Sequence, residues 1–181
     1  VPLAGGDVTW VDTRAFGRGS FTMSRGAGGN LYLFSGNPGH FLRYDVARGQ
    51  LDDLGSPATP ANYWMGCHLD ARGWMLVGTY PATTIAVCNT HTGEVRALGP
   101  LASDGRQRYI TRVAASDAGR LYAAVGLHHR ELWSVDPASG EKRQILPPEM
   151  TEAQGAPDLW TGTDGQVYGT SGSVQFRCQP D

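Results

Sequence analysis

Apolar runs too short for a helix recur along the chain, each closed by a turn rich in Gly, Asp, Asn or Pro. One set follows a glycine: NLYLF after Gly29, WMLVG after Gly73, RLYAA after Gly119 and QVYG after Gly165. Those glycines stand 44, 46 and 46 residues apart. A second ladder, Gly49, Gly93 and Gly140, closes the turns DVARG, NTHTG and DPASG, with steps of 44 and 47. The runs after it end at Leu54, Leu98 and Ile145. Two ladders sharing one period mark an internal repeat.

Each unit reads as four strands, A to D. Strand A is SFTMS (20–24), MGCHL (65–69), TRVAA (111–115) or DLWT (158–161), and strand B is the run after the first ladder. Strand C is FLRYDV (41–46), TIAVCN (84–89), ELWSVD (131–136) or SVQFRC (173–178), and strand D follows the second ladder. The strands are rich in Val, Ile, Tyr, Trp and Thr, as half-buried β-structure requires. Glycine in DARG, SDAG and GTDG suits tight A–B hairpins, and Pro137 with Gly140 suits a C–D turn. Helical periodicity is absent apart from one turn's worth at TEAQGA (151–156).

Four-stranded antiparallel units at this period predict an all-β β-propeller, with four blades in this chain and a single domain over 1–181. The blades fall at about 13–55, 56–99, 100–147 and 148–181. Residues 6–12 (GDVTWVD) read as a further strand D, with Gly6 in the place of Gly49. That strand would complete the last blade and leave no free edge. Three arrangements follow: a closed four-bladed ring, a section of a larger ring with other blades missing, or a homodimer whose two copies form one ring.

In a propeller the A–B and C–D turns share one face, and the B–C turns and D-to-A crossings share the other. The first group is generic and polar. The second is irregular and aromatic, as in GTYPATT (78–84), GLHHRE (126–131) and GPLASDGRQRY (99–109). Loops on a rigid scaffold carry binding groups, so this second face is the candidate site. Tyr63 and Tyr109 stand 46 residues apart where a crossing meets strand A. Trp64, Arg108, Arg112, Asp158 and Trp160 lie beside them, and His40, Tyr80, His128 and His129 come from the B–C turns. Aromatic faces stack on sugar rings and guanidinium grips carboxylate, so the expected ligand is a carbohydrate, an acidic one included, or another small polar molecule. A protein–protein scaffold through Trp64, Tyr80 and Trp160 is the competing reading. Structural roles are also open: the tyrosines as spacers between blades, Arg112 as the partner of Asp158, and the His128–His129 pair as a solvated turn.

Composition narrows the alternatives. Of 181 residues, 18% are charged and the formal net charge is -2, which excludes a basic nucleic-acid-binding surface. No apolar stretch approaches the ~18 residues of a membrane span, and VPLAGGDVTW lacks the basic start of a signal peptide. The five histidines and three cysteines show no metal-binding spacing, so no metal and no cofactor is expected. Cys67, Cys88 and Cys178 fall in strands and read as buried thiols, the last two on separate blades. GAGGN (26–30) is glycine-rich but no helix follows it, which rules out a phosphate loop. His68 lies toward the generic face, packed between blades.

RQRYITRVAASDAGRLYAAVGLHHRELWSVDPASGEKRQILP (106–147) resembles a blade of secreted bacterial seven-bladed propellers, and GTYPATTIAVCNTHTGEV (78–95) has the same cadence. The resemblance covers about three of the four units and implies a secreted or periplasmic protein. Some members of that group are similar to polysaccharide lyases acting on uronic acid linkages. This implies β-elimination, with Arg112 neutralising the uronate carboxylate and His128, His129 or Tyr109 accepting the proton. Tyr63 would protonate the leaving oxygen.

Overall fold

The computed structural model describes residues 10–18, 23–57, 63–102 and 104–179, without the side chains of Arg18, Ala27 and residues 63–67. Its strands in chain order are β1 (Gly17–Arg18), β2 (Met23–Arg25), β3 (Leu31–Phe34), β4 (Gly36–Pro38), β5 (Phe41–Asp45) and β6 (Gln50–Gly55). Then come β7 (Tyr63–Leu69), β8 (Trp74–Tyr80), β9 (Thr84–Asn89) and β10 (Val95–Pro100). They are followed by β11 (Tyr109–Ala115), β12 (Leu121–Gly126), β13 (Glu131–Val135) and β14 (Lys142–Gln144). A one-turn helix α1 (Pro148–Thr151) precedes β15 (Asp158–Thr161), β16 (Val167–Ser171) and β17 (Val174–Cys178).

The antiparallel sheets run β2-β3-β5-β6, β7-β8-β9-β10, β11-β12-β13-β14 and β15-β16-β17. They are the four expected blades, the fourth three-stranded among the described residues. A small pair, β1 with β4, ties the chain ahead of blade 1 to that blade's B–C turn. Residue types do not signal this pair, because Gly36, Asn37 and Pro38 are turn residues by type. The helical turn expected at 151–156 forms slightly earlier, at α1, where Pro148 occupies the first turn. Of the expected closing strand 6–12, residues 6–9 lie outside the described residues, and 10–12 carry no strand.

The ladder glycines are where the turns need them. All seven have positive φ, between +66° and +84°, a region that Cβ disfavours. The C–D turns are also closed by the last polar residue of strand C. Asp45 Oδ1 accepts from Arg48 N at 3.0 Å, Asn89 Oδ1 from His91 N at 3.0 Å, and Asp136 Oδ1 from Ala138 N at 2.8 Å. Such Asx turns satisfy backbone donors locally and hold each C–D hairpin in register.

The apolar core lies between blades. Tyr32, Phe34 and Phe41 of blade 1 meet Met75, Val77, Ala86 and Cys88 of blade 2. Leu76, Ile85 and Val87 on the other face of blade 2 meet Ile110, Leu121, Ala123 and Val125 of blade 3. Tyr122, Ala124 and Leu132 then meet Leu159, Val167 and Cys178 of blade 4. Alternate residues of β8 and β12 therefore face opposite neighbours, which is why these strands read as unbroken apolar runs. Polar bonds reinforce the steps from blade 2 to 3 and from 3 to 4: Lys142 Nζ donates to Leu98 O at 2.7 Å, Thr161 Oγ1 to Ala115 O at 3.0 Å and Asp117 N to Gly165 O at 2.9 Å. Arg72 and Arg96 reach the backbone carbonyls of Gly119 and Pro137 on the next blade.

Cys88 and Cys178 occupy equivalent places on the third strands of separate blades, as free buried thiols. The side chain of Cys67 lies outside the described residues. Burial pushes the Cys88 thiol up to about 11 and Cys178 up to about 12. An unfolded thiol titrates near ~8.5. The contribution of the neutral buried thiols is therefore complete below that pH and is lost as pH rises through their folded values. A C88A/C178A variant should lose less stability than the parent between pH ~8.5 and ~11, read as the change in thermal midpoint over that interval. Gly126 tests the blade spacing. A Cβ there would lie 2.2 Å from Gly155 O and 2.4 Å from Ala156 Cβ in the crossing to blade 4. Gly126→Ala should cost about 1–3 kcal/mol in chemical denaturation, as overpacking does.

Candidate functional site

Strand pairing brings one group of the expected residues together at the mouth of blades 2 to 4. Tyr63 at the start of β7 lies opposite Tyr80 at the end of β8, and Tyr109 at the start of β11 lies opposite Gly126. The Tyr109 ring stacks on Tyr80 of the preceding blade, with centroids 4.4 Å apart and planes at 30°. Tyr109 thus spaces two blades and presents a half-buried pair of rings on the loop face. The side chains of Tyr63 and Trp64 lie outside the described residues.

On the other side of blade 3, Arg112 reaches from β11 to blade 4, its Nε donating to Asp158 Oδ1 at 3.1 Å. Its Nη1 donates to Thr111 O at 2.9 Å. Both partners are open to solvent, with side-chain exposures of 54% and 59%, and Arg108 is exposed at the end of the same crossing. An exposed pair of this kind can exchange one carboxylate for another at little cost, because water already screens it. Blade 3 thus presents aromatic surface toward blade 2 and, toward blade 4, a guanidinium whose present partner is displaceable.

The histidine rings of His40 and His129 have carboxylate partners of their own. His40 Nδ1 is 3.2 and 3.1 Å from the two carboxylate oxygens of Asp53 on β6, and its ring lies 5.9 Å from Phe16. It therefore engages the outer strand of blade 1. His129 Nε2 hydrogen-bonds Glu131 Oε1 at 2.6 Å, and Glu131 Oε2 accepts from Trp133 Nε1 at 2.7 Å, which directs His129 toward strand C. Asp104 Oδ2 lies 4.0 Å from His129 Nδ1, and hydrogen bonds from Arg106 hold the Asp104 carboxyl down to about 2. His128 is exposed, its backbone N–H held by Gln107 Oε1 at 3.2 Å. Trp160 is also displaced from the mouth. Because β15 has only four residues, Trp160 stands next to its A–B end, stacking on Tyr168, whose hydroxyl donates to Asp164 in the A–B turn at 2.7 Å.

Sequence reasoning missed Gln107, Asp104 and Glu131. Gln107 is buried in the crossing, and its Nε2 donates to His129 O at 2.5 Å, so it braces the turn that carries both histidines. A signal existed: Asp104-Gly-Arg106 repeats the Asp12-Thr-Arg14 spacing ahead of blade 1. In each, the aspartate caps the arginine backbone N–H at 2.9 Å and grips its guanidinium. One cleft of about 450 Å³ lies against β17 and another of about 290 Å³ near the turn at Asp70. His68 on β7 is half-buried, and burial lowers its pKa.

Virginiamycin B lyase from Staphylococcus aureus superposes with a TM-score of 0.67 at 14% identity, over 84% of this chain and 49% of the lyase. The tricorn protease gives 0.61 at 12% identity, over 83% of this chain and 15% of its own. The extracellular domain of a putative one-component system from B. thetaiotaomicron gives 0.60 at 13% identity, over 90% of this chain and 22% of that chain. The fold is that of a β-propeller. This chain spans about half the length of the lyase and a smaller share of the other two. No family model and no curated protein sequence matches it. Identities this low carry the architecture and no activity, and the uronate-lyase likeness gains no specific support.

Removal of the Arg112 side chain checks whether its ion pair serves the scaffold. Exposed pairs contribute under about 1 kcal/mol, so Arg112→Ala should shift the denaturation midpoint by no more than that. A larger loss would assign Arg112 to holding blades 3 and 4 together.

Proposed function

We propose that this propeller is a ligand-binding module whose loop face recognises an acidic carbohydrate. The observation that carries the reading is that β11 offers both the Tyr80–Tyr109 stack, toward blade 2, and the solvent-exposed Arg112, toward blade 4. Sugar rings present apolar faces that stack on aromatic rings, while a uronate carboxylate accepts two parallel N–H bonds from guanidinium. Asp158 holds Arg112 in place until the ligand carboxylate replaces it. Arg108 extends the positive edge of the same mouth, and Tyr63 and Trp64 belong to the same rim by their position at the start of β7. A location outside the cytoplasm accords with the extracellular domain among the similar folds.

β-Elimination is the second reading, and the His129–Glu131 hydrogen bond favours it. A histidine oriented by a buried carboxylate is a competent general base. In that reading Arg112 neutralises the uronate carboxylate, His129 or Tyr109 takes the proton and Tyr63 protonates the leaving oxygen, with His128 as the alternative base. It ranks second because the bonds of Glu131 turn the His129 ring toward strand C. Docking of a protein ranks third, because Trp160 stands away from the mouth.

Calorimetric titration with an oligouronate and with its neutral counterpart separates these readings. The oligouronate should bind at least about tenfold more tightly, since a hydrogen bond to a charged group contributes about 1.5–3 kcal/mol. Arg112→Ala should remove that preference, and Tyr80→Ala should weaken both ligands. Rising absorbance of an unsaturated product during the titration would move elimination ahead of binding. Absence of binding by both sugars would overturn the proposal.

A further inference from the structure

The glycine-rich turn GAGGN (26–30) takes no part in the mouth, but the repeat gives its place in the fold a meaning. In all four blades the first residue of the A–B turn donates its backbone N–H to the carbonyl four residues on, at 2.8–3.0 Å. The pairs are Gly26 with Asn30, Asp70 with Trp74, Ser116 with Arg120 and Gly162 with Gln166, so the turns are equivalent residue by residue. Between blades 2 and 3, Arg72 of one turn covers Gly119 of the next and binds its carbonyl. Between blades 3 and 4, Asp117 covers Gly165, and Asp117 N donates to Gly165 O at 2.9 Å. At the first step the residues in the places of Asp117 and Arg72 are Ala27 and Gly28, types too short to span to Gly73. A cleft of about 290 Å³ lies at that step.

The cleft has the chemistry of a small-anion site. Arg25 borders it from blade 1 and His91 from blade 2, and both are exposed. Among the described residues no hydrogen bond or ion pair engages the Arg25 guanidinium or the His91 ring. Tyr32 and Leu69 supply apolar lining. The Asp70 carboxylate in the wall has no exposed side-chain surface, and it already accepts from Trp74 N at 2.7 Å, Arg72 N at 3.0 Å and Arg72 Nε at 3.3 Å. Backbone donors are spent as well: Gly73 N on Asp70 O at 3.1 Å, Thr90 N on Gly73 O at 2.8 Å and His91 N on Asn89 Oδ1 at 3.0 Å.

We propose that this cleft binds a small organic carboxylate. The Arg25 guanidinium and an N–H of the His91 ring hold its anionic end, and its apolar body lies on Tyr32 and Leu69. The volume stands at the lower end of the roughly 300–1,000 Å³ of ligand pockets, which sets the size of the molecule. A phosphate dianion fits less well, because phosphate cradles rely on spare backbone N–H groups and a second negative charge would face Asp70. The ligand takes the place that Arg72 and Asp117 fill at the later steps, so it also joins blade 1 to blade 2. The mouth is a different place: Tyr63 opens β7, whose last residue is Leu69, and Tyr80 ends β8, whose first residue is Trp74.

The test is amide chemical-shift mapping of the isotope-labelled 181-residue chain titrated with benzoate, with benzamide as the neutral isostere and inorganic phosphate as the tetrahedral anion. Benzoate should give saturable shifts centred on residues 25–32, 69–73 and 90–91, and should raise the thermal midpoint. Arg25→Gln should weaken benzoate at least about tenfold, the usual loss of a charge-assisted hydrogen bond. His91→Gln should weaken it by a smaller factor. Both side chains are exposed, so the spectra of both variants should match the parent away from the cleft. Arg112→Ala should leave the benzoate response unchanged, which separates this site from the proposed carbohydrate site. Equal binding of benzamide, tighter binding of phosphate at the same residues, or benzoate shifts scattered over the surface or centred on the mouth would each overturn the proposal. So would an undiminished response in either cleft variant, or a response lost with Arg112.

Discussion

Everything in this molecule depends on the sheets burying their faces against one another, the two middle blades on both sides. No single central core exists among the described residues; Leu76 faces one neighbour and Val77 the other, and the same alternation recurs along β12. Each fully buried Leu, Ile or Val contributes about 1.5–3 kcal/mol, so three inter-blade layers far outweigh any exposed ion pair at the mouth. The polar bonds between successive turns, such as Asp117 N to Gly165 O, then set the angle between blades. Strand starts are thereby fixed in space, and loop chemistry can vary without loss of the frame.

Much of the architecture was legible because its causes are local. The ladder glycines recur since each turn requires positive φ, and Asp45, Asn89 and Asp136 recur since each caps the same turn. The unbroken apolar run WMLVG reflects burial on two faces. The pairing of β1 with β4 was not legible, because the tertiary anchor Ser35–Phe16 selects it and the residue types alone suggest a turn. The start of α1 at Pro148 was missed for a related reason: the helix is a single turn set by its first residues, and no periodicity extends through it.

The site was legible in part. The period placed Tyr63 and Tyr109 equivalently, and the crossing of Arg112 to Asp158 followed from neighbouring strand starts. Where each histidine turns was hidden, since it depends on Asp53, Glu131 and Trp133, which the sequence presents as ordinary strand residues. Trp160 was misplaced because the length of β15, four residues, decides which end of the strand it marks. Buried Gln107 could be found only through its bonds to the turn it braces.

The absence of a shared centre among these blades also governs how the chain assembles and comes apart. Nearly all its pairings are between hairpins adjacent in sequence, so folding can start at any blade and spread to the next. Cooperativity then rests on nearest-neighbour terms alone. Under mild denaturant the two middle blades, each flanked on both sides, hold their amide protons longest, while the outermost blades open first and reclose on the template that remains.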